Sequence, residues 1–230
     1  MQNYDEWIAE IDGELKPDKS FDIIKRPLKI GGRRAVLYFI DGFIKDEVYE
    51  KILEFLYKQT HEEIAGIDDM SRFAENKLPY VETDAAYTVR EVVTAVLSGP
   101  SVLIIEGIRG ALLVDTRTYP MRGVEEPQKD RSLRGPRDGF VETLVMNTAM
   151  LRRRIRDSRL RMEYMQIGTE TKLDISIAYI DGKADKRVLE ILRQRLTEIR
   201  AGGISMTQEA LAESLQKNAF FNPFPKFKFT

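Results

Sequence analysis

The chain has 230 residues, of which 43% are hydrophobic and 32% charged, a balance that allows a sizeable core to be buried. Cysteine is absent, which excludes disulfides, thiolate nucleophiles and cysteine metal sites. No segment approaches the roughly 18 apolar residues that a bilayer-spanning helix needs, and the acidic N-terminus lacks the apolar core of a signal peptide. We therefore expect a soluble, cytoplasm-facing chain of one large or two small domains.

Hydrophobic periodicity and turn residues predict the elements of the first half. The prediction comprises a helix over Tyr4–Leu15 in a loosely attached arm, a strand over 35–40, a helix over about 45–60, a helix capped by Asp84 or Thr88 and stopped by Gly99-Pro100, and two strands over 101–106 and 111–117. The short connection 107–110 makes the last two strands a hairpin.

The second half opens with residues 118–137, which lack periodicity and read as a linker or functional loop. The elements predicted after it are a helix bearing an apolar stripe from Phe140 to Ile155 with Asp138 as N-cap, strands over 160–167 and 172–180, a helix over about 186–200 and a shorter helix over about 207–217.

A strand, an Asp-Gly turn and an amphipathic helix occur twice, around Asp41-Gly42 and around Asp181-Gly182. This echo is either an internal repeat or two chance copies of a common unit. Strands and helices mix in both halves, so we predict a mixed α/β fold of two small α/β subdomains joined by a linker region. The predicted parts are an N-terminal arm (1–30), a first subdomain with the linker (31–130), a second subdomain (131–219) and an aromatic connector (220–230).

The residues favour no catalytic constellation. His61 is the only histidine and follows an amphipathic helix, where a solvated side chain is expected. Gly31-Gly32 precedes a strand, which is the reverse of the order in nucleotide-binding loops. We therefore expect no enzyme activity, no metal and no cofactor.

Basic residues are concentrated between Arg109 and Arg161, a segment with thirteen basic and seven acidic residues. Such a belt on an acidic body predicts an anionic partner for one region. Six arginines fall within residues 152–161, and Arg152, Arg153, Arg154 and Arg156 are binding or interface candidates. Arginine at a helix C-terminus complements the helix dipole, and its fork suits phosphate, carboxylate, anionic lipid or an acidic neighbour. RNA is a further alternative, although the acidic remainder argues against nucleic acid.

The string RSLRGPRDGF over Arg131–Phe140, followed by Glu142, Asn147 and the LRRRIR run over 151–156, resembles a signature of GerA-type spore germinant receptor A subunits. Leu113-Val114-Asp115 and the Phe-Pro-rich end are also similar to that family. The resemblance covers residues 100–230 and is weaker before them.

The resemblance implies a cytoplasmic N-terminal domain, in the inner spore membrane system, that takes part in germinant sensing or signal relay leading to germination. It implies B and C subunits and other A subunits as partners, a small nutrient germinant as candidate ligand, and a membrane region reached through the C-terminal connector. The alternatives are a stand-alone small-molecule binding domain, or a lipid or RNA binder through the arginine-rich helix end.

The signature holds charged side chains on a rigid turn, since Gly135-Pro136 and Gly139 fix an unusual backbone path. Its candidate binding or interface residues are Arg131, Arg134, Gly135, Pro136, Arg137 and Asp138. Arginines converging on a helix start form a ready anion site. The signature is alternatively a salt-bridge clamp between the subdomains or a subunit contact.

Overall fold

The computed structural model describes residues 3–44, 46–77, 82–117, 140–168 and 172–199. Its helices are α1 (Tyr4–Leu15), α2 (Asp46–Tyr57), α3 (His61–Ala65), α4 (Met70–Lys77), α5 (Val89–Ser98), α6 (Leu144–Arg154) and α7 (Lys186–Glu198). Its strands are β1 (Ile23–Ile30), β2 (Arg33–Ile40), β3 (Thr83–Ala86), β4 (Ser101–Ile105), β5 (Ala111–Val114), β6 (Leu160–Ile167) and β7 (Leu173–Ile180). The predicted mixed α/β class is confirmed.

The chain divides into two compact units. Unit 1 comprises residues 1–120 and 145–160, and unit 2 comprises residues 121–144 and 161–230. These limits differ from the predicted subdomains, because nearly all of α6 belongs to unit 1 although it follows the linker. The predicted connector 220–230 lies outside the described residues.

Unit 1 is built on an antiparallel sheet of five strands in the order β1-β2-β4-β5-β3. Because side chains alternate along a strand, Val36 and Tyr38 of β2 face one apolar cluster, whereas Ala35 and Leu37 face another. The first cluster is covered by α1 and α5, and the second by α2, α3 and α4. Helices therefore cover both faces of the sheet, and the strand pair β4–β5 confirms the predicted hairpin.

Helix α1 has the predicted bounds, but it is packed rather than loosely attached. Trp7, Ile11 and Leu15 recur every four residues on one face and are buried against the sheet. Tyr38 donates a hydrogen bond of 2.8 Å to Asp12, which ties the helix to β2. The apolar stripe explains why this segment joins the core of unit 1.

Strand β1 was not predicted, and it forms an outer edge of the five-stranded sheet. Its exposed side chains are Lys25, Arg26, Pro27 and Lys29, so its composition does not resemble a buried strand. Pro27 lies opposite Val36 and lacks a backbone N–H, which is tolerated at a sheet edge.

Helix α5 begins at the second of the two predicted caps. The Thr88 hydroxyl accepts from the backbone N–H of Glu91, whose carboxylate accepts from the N–H of Thr88, a capping box. Asp84 instead lies within β3. Gly99, in the left-handed region at φ +111°, ends the helix as predicted.

Helix α6 begins at Leu144, later than the predicted start at Phe140, and Asp138 lies outside the described residues. The predicted apolar stripe coincides only in part with the buried face: Phe140 and Ile155, at its ends, lie outside the helix and are exposed, whereas Thr148 is buried. The buried side chains are those of Thr148, Ala149 and Arg152. A charged residue therefore takes a core position on this helix.

Unit 2 contains the antiparallel pair β6–β7 and helix α7. Ile167, Ile177, Leu189 and Leu196 form its apolar cluster between the pair and the helix. The Asp181-Gly182 turn leads β7 into α7, as Asp41-Gly42 leads β2 towards α2, so the predicted strand–turn–helix echo is present in each unit. None of the helices in the described ranges is long and apolar enough to cross a membrane.

Gly42 lies where the turn after β2 meets α6. Its φ is +81°, and a Cβ built there would lie 3.0 Å from side-chain atoms of Val145 and Ala149. Gly32 has the same backbone conformation, with φ +80°, but nothing within 4 Å of such a Cβ.

We expect Gly42→Ala to destabilise unit 1 by about 1–3 kcal/mol more than Gly32→Ala. Both substitutions strain the left-handed backbone by a similar amount, so their difference reports the crowding against α6. Urea denaturation of the two variants measures it. Equal losses for the two glycines would show that α6 does not pack against this turn as described.

Candidate functional site

Arg152, in the last turn of α6, is completely buried. Burying a guanidinium costs several kcal/mol unless a counter-ion and hydrogen-bond acceptors replace its water. Its partners therefore determine what this residue does.

The Asp22 carboxylate and three oxygen atoms of other groups surround the guanidinium. Nε donates to Asp22 Oδ2 at 2.7 Å and Nη2 donates to Asp22 Oδ1 at 3.0 Å, a bidentate pair in which both side chains are fully buried. Nη2 also donates to Ser20 Oγ at 3.1 Å and to the carbonyl of Leu160 at 3.2 Å, while Nη1 donates to the carbonyl of Asp157 at 3.4 Å. We call Arg152, Asp22 and Ser20 the arginine cluster.

The arginine cluster joins three segments that are distant in sequence. Ser20 and Asp22 lie between α1 and β1, Arg152 ends α6, and the two carbonyls belong to the chain that enters β6. The Ser20 hydroxyl donates 2.9 Å to Asp22, which orients the carboxylate. The donors of Arg152 thus point at protein groups, and the cluster holds the end of α6 to unit 1.

The negative charge of Asp22 also affects the pKa of the neighbouring carboxyl group of Asp41. Burial raises the pKa of Asp41, which precedes the glycine of the β2 turn, and the charge on Asp22 raises it further. The backbone N–H of Asp41 donates 2.8 Å to the carbonyl of Asp22. The β2 turn and the arginine cluster are therefore coupled electrostatically and by the backbone.

The other predicted arginines of the α6 end have a different environment. Arg153, Arg154 and Arg156 are exposed, whereas Arg159 pairs with Asp157 at 2.7 Å. The structure separates a buried, structural arginine from exposed ones at a helix C-terminus, where the dipole favours cations. Arg131, Arg134, Gly135, Pro136, Arg137 and Asp138 lie outside the described residues, and their role stays a prediction.

Asp22 and Ser20 were not predicted as part of any site. They lie in a polar stretch without periodicity, 130 and 132 residues before Arg152, so no local pattern connects them. The available signal is indirect: an arginine on the buried side of a helix requires a carboxylate somewhere in the fold.

Unit 2 holds a second arginine-centred group. Arg193 of α7 donates to both oxygens of Glu163 at 2.8 and 2.7 Å, and Tyr179 donates to the same carboxylate at 2.5 Å. Glu190 accepts from Arg193 at 3.2 Å on the exposed side. Hydrogen bonds from Arg193 hold the pKa of Glu163 below its ordinary value of 4.5. The group ties α7 to β6 and β7.

Neither group is arranged as a metal site. In each group the carboxylate oxygens already accept hydrogen bonds from guanidinium and hydroxyl donors. These donors would compete with a metal cation for the same oxygens. Among the described residues, no set of three or more His, Cys, Asp or Glu side chains could hold a metal ion.

Comparison with known proteins adds sequence and structural relatives. The chain matches the family described as Bacillus/Clostridium GerA spore germination protein over residues 10–230. It is 35% identical over 211 residues to stage V sporulation protein AF of Bacillus subtilis, covering 92% of this chain and 42% of that protein. It is 30% identical over 222 residues to spore germination protein KA of Bacillus subtilis, covering 95% and 40%.

A solved structure is also similar, that of the N-terminal domain of the A subunit of the Bacillus megaterium spore germinant receptor GerK3. The TM-score is 0.66 and the identity 26%, over 94% of this chain and 80% of that one. The match therefore spans 80% of a separately solved domain, but only 40 to 42% of the length of these two relatives.

We expect Arg152→Ala to destabilise unit 1 by about 3–5 kcal/mol, because it leaves the Asp22 carboxylate buried without its counter-ion. Replacing both partners, in Arg152→Met with Asp22→Leu, removes both charges and should cost less than the single substitution. Exposed Arg156→Ala serves as the control and should change stability by less than about 0.5 kcal/mol. Urea denaturation decides, and a double variant no more stable than Arg152→Ala would contradict the argument.

We expect the stability of unit 2 to fall at acid pH, and Glu163→Gln to reduce that fall. A carboxyl with a lowered folded-state pKa contributes stability that is present above its ordinary pKa and is lost as pH falls through the folded value. The loss should therefore develop below about pH 4.5 and be smaller in Glu163→Gln, where the remaining part comes from other carboxyls with a lowered pKa such as Asp174. Glu190→Gln, which contacts the same arginine from solvent, should keep the wild-type slope. Urea unfolding followed by NMR signals of α7 at each pH tests this.

Proposed function

The chain belongs to the GerA family of Bacillus/Clostridium spore germination proteins, and on that premise we propose that it is the N-terminal domain of a nutrient germinant receptor A subunit. Its role is in germinant sensing or in relaying the signal that triggers germination. The observation that carries the proposal is the likeness to the GerK3 A-subunit domain across 94% of the chain. A binding and relay role, not catalysis, is the function we assign.

The arginine cluster supports the relay part of the proposal. The chain leaves unit 2 after residue 144, forms α6 in unit 1, and re-enters unit 2 after residue 160. Arg152 holds segment 145–160 in unit 1 by binding Asp22 and the carbonyl of Leu160, the last residue of that segment. In the proposed relay, a displacement of α6 is passed to the chain that enters β6 through these hydrogen bonds.

The signature Arg131–Phe140 precedes this joint in the chain. In the proposed mechanism the signature acts as an interdomain clamp or a subunit contact, and its movement is passed to α6. The exposed Arg153, Arg154 and Arg156 supply cationic contacts for acidic surfaces of neighbouring subunits. These neighbours are the B and C subunits and other A subunits, at the inner spore membrane with this domain on the cytoplasmic side.

Germination of spores that carry the full-length protein tests the proposal. We expect Arg134→Ala or Arg137→Ala to reduce the nutrient response strongly while the abundance of the protein in spore membranes stays normal. Arg90→Ala, which removes an exposed arginine of α5, is the matched control and should respond like the wild type.

Two results would contradict the proposal. A normal nutrient response from a variant that lacks both signature arginines would show that these arginines are not needed for signalling. Loss of the protein from the membrane in these variants, without loss in the Arg90→Ala control, would assign the signature to assembly instead of relay.

A further inference from the structure

A cavity of about 460 Å³ opens in unit 1 between α1, the β4–β5 turn and the segment before α4. Its walls are mostly apolar, and a size of several hundred Å³ suits a small molecule. Residues that shape it include Tyr4, Trp7, Asp68, Ile104, Ile108 and Arg109.

Arg109 is held rigidly at this cavity by its backbone. Its N–H donates to the carbonyl of Asp68 at 2.8 Å, and its own carbonyl accepts from Met70 at 2.9 Å. Its guanidinium lies over the ring of Tyr87, 5.2 Å from the ring centroid. Stacking of this kind orients the guanidinium plane while leaving its edge available for hydrogen bonds.

Tyr87 is itself fixed, so the stacking platform is preorganised. Its hydroxyl donates to Asp69 Oδ1 at 2.9 Å and lies 2.9 Å from Ser71 Oγ. A Cβ on Gly110 would lie 2.9 Å from the Tyr87 ring, so only glycine allows the turn to approach the ring this closely. Asp69, Tyr87 and Arg109 therefore form a supporting stack behind the cavity.

The charge of Arg109 is not neutralised by a side-chain contact. Among the described residues its guanidinium makes no hydrogen bond and no ion pair within contact distance, although the charge of Asp69 acts on it through space. Two other carboxylates near the cavity have cations of their own. Asp68 pairs with Arg72 at 3.3 Å, and Glu106 pairs with Arg34 at 2.7 Å. A cation with an open hydrogen-bonding edge thus stands at the rim of a largely apolar cavity.

Trp7 provides a second, independent observation. Its side chain lines the cavity and is 3% exposed, and its indole N–H has no hydrogen-bond partner among the described residues. A buried donor without a partner costs free energy, which an acceptor on a bound molecule would recover. The cavity lining also includes Tyr4 and the Asp68 carboxylate, which pairs with Arg72. Arg109 and Trp7 are donors that suit an anionic or carbonyl oxygen on a bound molecule.

We propose that this cavity binds a small carboxylate with an apolar body. The carboxylate accepts hydrogen bonds from Arg109 and from the indole N–H of Trp7, and the apolar part lies against Ile104 and Ile108. The inference deepens the proposed role in sensing and rests on it for its biological meaning. Binding is measured on the purified chain without spores, so the binding site and the receptor function can fail separately.

Trp7 is the only tryptophan of the chain, so intrinsic tryptophan fluorescence reports directly on this cavity. Titration of the 230-residue chain with 4-methylpentanoate should change the Trp7 emission saturably. The neutral 4-methylpentanamide, which has the same apolar body, should bind at least about 10-fold more weakly because it lacks the charge that Arg109 recognises. Equal binding of acid and amide, or no saturable change with the acid, would overturn the proposal.

Arg109→Gln tests the assigned residue. It should lower the affinity for 4-methylpentanoate by about 10- to 100-fold, the range expected for a charge-assisted hydrogen bond. Arg90→Gln, an equal change of charge on the surface of α5, should bind like the wild type. Urea midpoints of both variants confirm folding, and ¹⁵N NMR shift changes of the β4–β5 turn on titration locate the ligand. Unchanged affinity in folded Arg109→Gln, or shifts confined to other elements, would exclude this site.

Discussion

A buried guanidinium needs a counter-ion and hydrogen-bond acceptors, and three segments of unit 1 converge to supply them to Arg152. The desolvation cost is offset only when a carboxylate, a hydroxyl and backbone carbonyls converge with good geometry. Asp22 and Ser20 must therefore reach the end of α6 from the connection between α1 and β1, and the chain before β6 must turn its carbonyls inward. One side chain thereby fixes the relative positions of three segments, which apolar packing alone would specify less strictly.

The packing around α6 follows from the same constraint. The fully buried side chains of α6 are those of Thr148, Ala149 and Arg152, and Val145 and Ala149 approach the β2 turn closely. Gly42 makes that approach sterically feasible. Unit 2 contains a similar arginine–carboxylate pair: Arg193 of α7 binds Glu163 of β6, which also accepts a hydrogen bond from Tyr179 of β7. In both units an arginine–carboxylate pair thus holds a helix to its neighbouring segments.

Much of the local structure could be predicted, because it rests on patterns within a dozen residues. Periodicity identified α1, and turn residues identified the β4–β5 hairpin and the strand–turn–helix echo. Strand β1 escaped prediction because an edge strand needs no apolar alternation on its open side. The arginine cluster and the cavity escaped because they are assembled from segments up to 130 residues apart. Among the predicted site residues that the structure describes, Arg152 is the one with a buried, structural role, because Asp22 pairs with it.

The exposed edge of β1 has a consequence for how this domain meets other proteins. An open strand normally offers a ladder of N–H and C=O groups to any extended chain that collides with it. In β1 that ladder is interrupted by Pro27 and flanked by the exposed cations Arg26 and Lys29, whose like charges repel a second copy of the same edge, while Lys25 pairs with Asp12. This end of the sheet is therefore a poor template for a further strand, whereas β3 forms its other end.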